Sequence, residues 1–91
     1  MNQYINTNEY VVSRIADVAP RALSAYFLCV QHSLENPQIT FTRSYIIEHC
    51  ARSWTMFKND IRKLAYMFLL TFIDKGHTIE IELVEPLDEP W

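Results

Sequence analysis

The segment Ser53-Trp54-Thr55-Met56-Phe57-Lys58-Asn59-Asp60-Ile61-Arg62-Lys63-Leu64-Ala65-Tyr66-Met67-Phe68-Leu69-Leu70-Thr71-Phe72-Ile73-Asp74-Lys75-Gly76 decides how this chain reads. Phe57, Ile61, Leu64, Ala65, Phe68 and Phe72 recur three and four residues apart, the spacing that buries one side of a helix. Thr55, Lys58, Asn59, Arg62 and Tyr66 fall on the opposite side. Thr55 or Ser53 caps the start, and the spacing carries the helix to about Thr71. Phe72-Ile73-Asp74, a Lys75-Gly76 turn and His77 to Val84 then read as a hairpin, because tight hairpin turns need the positive φ that glycine adopts without strain. In its second strand Ile79, Ile81 and Leu83 alternate with Thr78, Glu80 and Glu82.

Working outward, residues 1–7 show no apolar period and read as a frayed or extended arm. Asn8 caps a short helix with Val11, Val12, Ile15 and Ala16 on its apolar side. Pro20 suits the first turn of the next helix, where its missing N–H would be unpaired anyway. That helix runs to about Ser33, with Leu23, Tyr26, Phe27, Val30 and Leu34 on one side and Ala22, Ala25 and Cys29 filling the rest. Being apolar nearly all round, it reads as the central helix, ended by Asn36-Pro37. Gln38-Ile39-Thr40-Phe41 alternates as a short edge strand. Thr42 or Ser44 caps a helix from Arg43 to about Ala51, with Tyr45 (or Ile46), Ile47 and Cys50 inward. Arg52-Ser53-Trp54 is the turn to the next helix, and Trp54 reads as an apolar plug beneath it.

A chain of 91 residues, 49% hydrophobic, builds one core and not two. Gly76 is the sole glycine, so loops are short and the expected fold class is mainly α with a small β-hairpin. Boundaries fall at residues 1–19 (N-terminal arm and short helix), 20–85 (the main domain) and 86–91 (a flexible acidic tail). No leader pattern or run of transmembrane length is visible, which points to a cytoplasmic protein without a membrane partner. Cys29 and Cys50 sit in apolar helical patterns and read as buried reduced thiols.

The net charge of −3 is unevenly spread: −1 over residues 1–42, +3 over 43–77 and −5 over 78–91. Positive charge therefore gathers at the two helices before the hairpin. A solvated helix face of Thr, Lys, Asn and Arg grips phosphates and reads base edges in a major groove. Arg62 or Lys58 suits guanine and Asn59 suits adenine. Arg43, Arg52 and Thr55, near helix starts, and Lys63 and Lys75 complete the expected DNA-binding set. Cys29-x-x-His32 and His49-Cys50 do not make a metal site, since adjacent helical residues diverge by about 100°. With no catalytic spacing and no Gly-rich phosphate loop, an enzyme and a cofactor are not expected.

From Thr42 to Val84 the chain resembles the winged helix-turn-helix superfamily of small bacterial, phage and plasmid transcription regulators. The resemblance rests on the capped helix with Asp60-Ile61-Arg62-Lys63-Leu64, followed by Leu69-Leu70 leading into the wing. The residue before that Leu pair, Gly in such proteins, is Phe68 here. The resemblance implies a phage- or plasmid-type regulator of transcription, using helix 55–71 to bind double-stranded DNA. A homodimer is expected, through Tyr10, Val11 and Ile15 of the first helix and Tyr66 and Met67 beyond the recognition face. The alternative is a protein partner, with the same scaffold and its acidic tail acting as an inhibitor of a host protein.

Overall fold

A computed structural model describes the backbone of residues 3–50 and 52–84, and the side chains of residues 10–50 and 52–84. Four helices and a three-stranded antiparallel sheet share one core. Helix α1 (Gln3–Val18) is followed by a 3₁₀ turn (Pro20–Ala22), α2 (Leu23–Ser33), β1 (Gln38–Thr42), α3 (Arg43–Cys50), α4 (Trp54–Tyr66), β2 (Leu70–Asp74) and β3 (Thr78–Leu83). The strand order is β1-β3-β2, with Ile39 opposite Ile81 and Phe72 also opposite Ile81. The inward residues Ile39, Phe41, Leu70, Ile79 and Ile81 are buried against Phe57, Ile61 and Leu64 of α4. β1 is an edge strand, as the alternation indicates. The expected tail at 86–91 lies outside the described residues.

Several expectations are corrected. The first helix starts at Gln3 and not at Asn8, so most of residues 1–7 are helical. Val11, Ile15 and Met67 lie in the shared core, and none of these is free to form the expected dimer surface. Tyr10 and Tyr66 do remain exposed. In α2 Ala25, Tyr26 and Cys29 are the buried residues, while Phe27 and, just past its end, Leu34 face out. Small residues let the helix approach its neighbours closely, a preference that an all-round apolar pattern conceals. In α3, Ile46 is the buried residue and Ile47 is exposed. Thr42 caps it, its Oγ1 accepting from Tyr45 N–H at 3.1 Å.

Ser53 caps α4, accepting from Met56 N–H at 3.0 Å. The helix ends at Tyr66, five residues before Thr71, because Phe68 adopts φ 63° and reverses the chain. Phe68 N–H donates to Ala65 C=O at 2.9 Å and Leu69 N–H to Leu64 C=O at 3.1 Å, the paired bonds of a Schellman closure. Phe68 is thus exposed, not part of the buried stripe, and Phe72 lies on β2. The hairpin turn also shifts by one residue. Lys75 N–H donates to Thr78 C=O at 2.8 Å, so Gly76 (φ 93°) and His77 are its central pair.

Left-handed geometry costs an L-residue about 1–2 kcal/mol, and glycine returns about 0.4–1 kcal/mol of that through its freer unfolded chain. Phe68→Gly should therefore raise the unfolding free energy by about 0.5–1 kcal/mol, read as a higher urea midpoint at unchanged slope. A lower midpoint would show that the Phe68 ring contributes packing that its exposure denies.

Candidate nucleic-acid interface

The cap at Ser53 and the buried stripe Phe57–Ile61–Leu64 fix which way α4 faces. Thr55, Asn59, Arg62 and Tyr66, spaced four, three and four residues apart, form an exposed row, flanked by exposed Met56 and Lys63. The opposite flank meets the hairpin. Because the chain reverses at Phe68, β2 runs back beside α4 and delivers the turn to the first half of the helix.

That turn is held by four side chains. Trp54 is buried, and its Nε1–H donates to Gly76 C=O at 2.7 Å. Lys58 Nζ lies 3.0 Å from Asp74 Oδ2, donates to Asp74 Oδ1 at 3.1 Å and sits 5.5 Å from the centre of the Trp54 ring. Arg62 Nη2 is 3.9 Å from Asp74 Oδ2, and its Nη1–H donates to Asn59 Oδ1 at 2.9 Å. Asp74 also accepts from Gly76 N–H at 2.9 Å. That hydrogen bond, then the one from Lys58, holds the Asp74 carboxyl below the usual carboxylate range. Its contribution to hairpin stability is therefore present above that range and is lost as pH falls through the lowered value.

Arg52 does not face outward. Its Nη2 lies 3.0 Å from Asp60 Oδ2 and its Nη1–H donates to Ser24 Oγ at 3.0 Å, tying the α3–α4 turn to α2. Asp60 is buried, with a side chain only 6% exposed, and its ion-pair partner is Arg52. Burial pushes its carboxyl up, opposed first by Arg52 and then by Lys63 and Arg21.

The structure thus brings Lys58, Asn59 and Arg62 together around Asp74 and places Thr55 and Lys63 beside them. It sets Arg52 apart as a structural anchor. Lys75 pairs with Glu80 at 2.9 Å on the hairpin, both well exposed. Arg43 is exposed at the first position of α3, its backbone N–H donating to His77 C=O at 2.9 Å. Among the described residues, Arg43 and Lys63 form no ion pair. Asp74 is the residue that sequence reasoning missed; its position two before the lone glycine is the signal of a side chain closing its own turn.

Compared with protein-family models, with curated proteins and with solved structures, the chain finds no match, so the site is read from its own geometry. Among the described residues no group of three or more His, Cys, Asp or Glu is placed to hold a metal ion. Cys29 and Cys50 are free thiols, and burial pushes Cys29 up to about 12. The His32 ring packs edge-on against Phe41 and Tyr45. No described helix is long and apolar enough to cross a membrane.

Removing one partner of a buried pair strands the other charge. Arg52 is one-fifth exposed, so Arg52→Ala should cost about 2–3 kcal/mol, somewhat less than a fully buried pair. Asp60→Asn should cost less. The raised carboxyl gives the wild type stability that is present below the ordinary carboxylate range and is lost as pH rises through the raised value. The stability of Asp60→Asn relative to wild type should accordingly improve across that window, read by denaturant midpoints at a series of pH values.

Proposed function

We propose that this chain is a small double-stranded-DNA-binding regulator of the winged helix-turn-helix type, with α4 as its recognition helix. The observation that carries the reading is the outward row Thr55–Asn59–Arg62 on a capped helix whose opposite face is core. Polar side chains on a rigid element, free of any packing duty, are what base-edge reading requires. The element order from α2 to β3 agrees with the resemblance: helix, short strand, helix, helix, hairpin.

The contact set narrows on physical grounds. Arg62 and Asn59 act as a unit, since one bonds the other, and they take the base-reading positions. Thr55, Lys63 and Arg43 take phosphate. Lys75 contributes at the hairpin once it leaves Glu80. Arg52 is committed to Asp60, and Lys58, only 19% exposed, holds the hairpin in place. Exchanging Asp74 for a phosphate costs Arg62 little, because ion pairs between exposed groups are worth about 0–1 kcal/mol. One small recognition helix seldom supplies enough contacts, so a homodimer on two half-sites belongs to this reading.

A second reading, a protein-interaction module, is favoured by two aromatic side chains at the end of α4, Tyr66 and Phe68, each 82% exposed. Titration of binding to random duplex DNA against salt separates the two. The DNA reading expects binding that weakens steeply with salt; Lys63→Ala should make that slope shallower by about one charge for every sequence alike. Arg62→Ala should cost about 1–3 kcal/mol at a preferred site and relax preference there. Asp74→Asn keeps the turn's acceptor but removes the charge competing for Lys58 and Arg62, and should tighten binding. If neither wild type nor Asp74→Asn binds duplex DNA at low salt, the interaction module takes its place.

A further inference from the structure

Helix α2 turns one face to solvent, and that face is not composed for water. Leu23, Phe27, Val30 and Leu34 recur at intervals of four, three and four residues, which sets them in one row along the helix and the turn after it. Phe27 is 49% and Leu34 66% exposed, and Leu23 and Val30 are half-buried at the row's inner edge. Residues 22–34 contain no Asp, Glu, Lys or Arg, although solvated helix faces are ordinarily charged. His32, in the same run, packs against Phe41 and Tyr45.

Charge resumes at both ends of the row, with opposite sign. Arg21 stands just before α2 and Glu35 just after it, and both are exposed. Among the described residues neither forms an ion pair. A row of this kind fits a second copy of itself laid antiparallel about a two-fold axis. Leu23 then meets the other copy's Leu34 and Phe27 meets its Val30, which is the spacing of a coiled-coil seam. In that register Arg21 of each copy falls within one residue of Glu35 of the other, so an ion pair closes each end. A parallel pairing would set like charges together. The antiparallel helix dipoles add to the preference. The 11 residues of α2 cover about 16 Å, so the contact lies at the small end of specific interfaces and the dimer is of micromolar strength.

We propose that the outer face of α2 is the surface on which two copies of this chain associate, with Leu23, Phe27, Val30 and Leu34 as the seam and Arg21–Glu35 pairs at its ends. It takes the place of the surface expected from the sequence, whose Val11, Ile15 and Met67 are core. The association stands by itself; that it presents two α4 rows to two half-sites rests on the DNA-binding function proposed above.

Sedimentation equilibrium of the full chain across the micromolar range tests it. Wild type should be a reversible dimer. Phe27→Gln with Leu34→Gln removes the exposed apolar groups without adding charge, and should raise the dissociation constant by about tenfold or more. Glu35→Arg, in an exposed turn, should raise it several-fold at low salt, and adding Arg21→Glu should restore the wild-type value. Far-UV circular dichroism checks that each chain is folded; were the Phe27 variant to unfold, Glu35→Arg still decides. A monomer at high micromolar concentration overturns the proposal. So does a dimer unmoved by Glu35→Arg and by the glutamine pair, which assigns association to another surface. A folded charge swap that fails to restore the dimer overturns it as well. Dimerisation through α2 without duplex-DNA binding by any variant keeps the surface and removes the DNA reading; DNA binding by a monomeric wild type does the reverse.

Discussion

The two hydrogen bonds that close α4, from Phe68 N–H to Ala65 C=O and from Leu69 N–H to Leu64 C=O, determine where everything after the helix lies. They turn the chain by way of one left-handed residue, so β2 retraces the path of α4 instead of leaving it. Asp74 thereby arrives at Lys58 and the Gly76 carbonyl at Trp54, about two and about three turns of helix, respectively, before the end of α4 at Tyr66. β3 then returns to the same end and closes the loop through Val84 and Leu69. A helix and a hairpin joined at both ends form one rigid body, and any surface built on α4 inherits that rigidity. A free-swinging hairpin would need the reversal to open, and the core contacts of Leu64 and Leu70 oppose that.

Charge is organised by how far each pair is removed from water. The Arg52–Asp60 pair is largely buried and ties the α3–α4 turn to α4 and α2, so it acts as a fixed part of the scaffold. Lys58–Asp74 is intermediate, both side chains being partly open to solvent. Lys75–Glu80 and Arg62–Asp74 are exposed or long, and solvent screens them. The order matters for an acidic chain with a locally basic helix. Cations in the first class cannot be lent to a ligand without disturbing the fold, whereas those in the last are exchanged at little cost.

Periodicity made the inner face of α4 legible, because Phe57, Ile61 and Leu64 obey the helical spacing and nothing else explains them. The alternation Ile79–Ile81 located β3, and Gly76 located the turn to within one residue. The end of α4 was not legible. Phe68 and Phe72 continue the helical period, and only pairing of 70–74 with β3, a contact between residues distant in sequence, shows that the period is accidental there. α2 failed for a different reason: apolar on all sides, it offers no moment to orient it, and the inner face is set by how closely Ala25 and Cys29 let neighbours approach. Of the candidate site, Thr55, Asn59 and Arg62 were legible as an outward row. The withdrawal of Arg52 to Asp60 and of Lys58 to Asp74 was not, since both depend on partners that adjacency in sequence does not reveal.

The two ends of α4 answer different physical demands. At its start, the free backbone N–H groups and the positive pole of the helix favour an anion, and Thr55 and the Arg62–Asn59 pair lie toward that half or at the middle. At its end, the negative pole favours cations, and Lys63 occupies the last turn. A phosphate backbone approaching Tyr66 and Phe68 would meet that negative pole and two apolar rings. Under the DNA reading proposed above, phosphate is therefore matched to the first half of α4, and the exposed cations Arg62 and Lys63 mark where that preference gives way. Asp74, 3.9 Å from the Arg62 guanidinium, is then the residue through which the hairpin bears on that face of the helix.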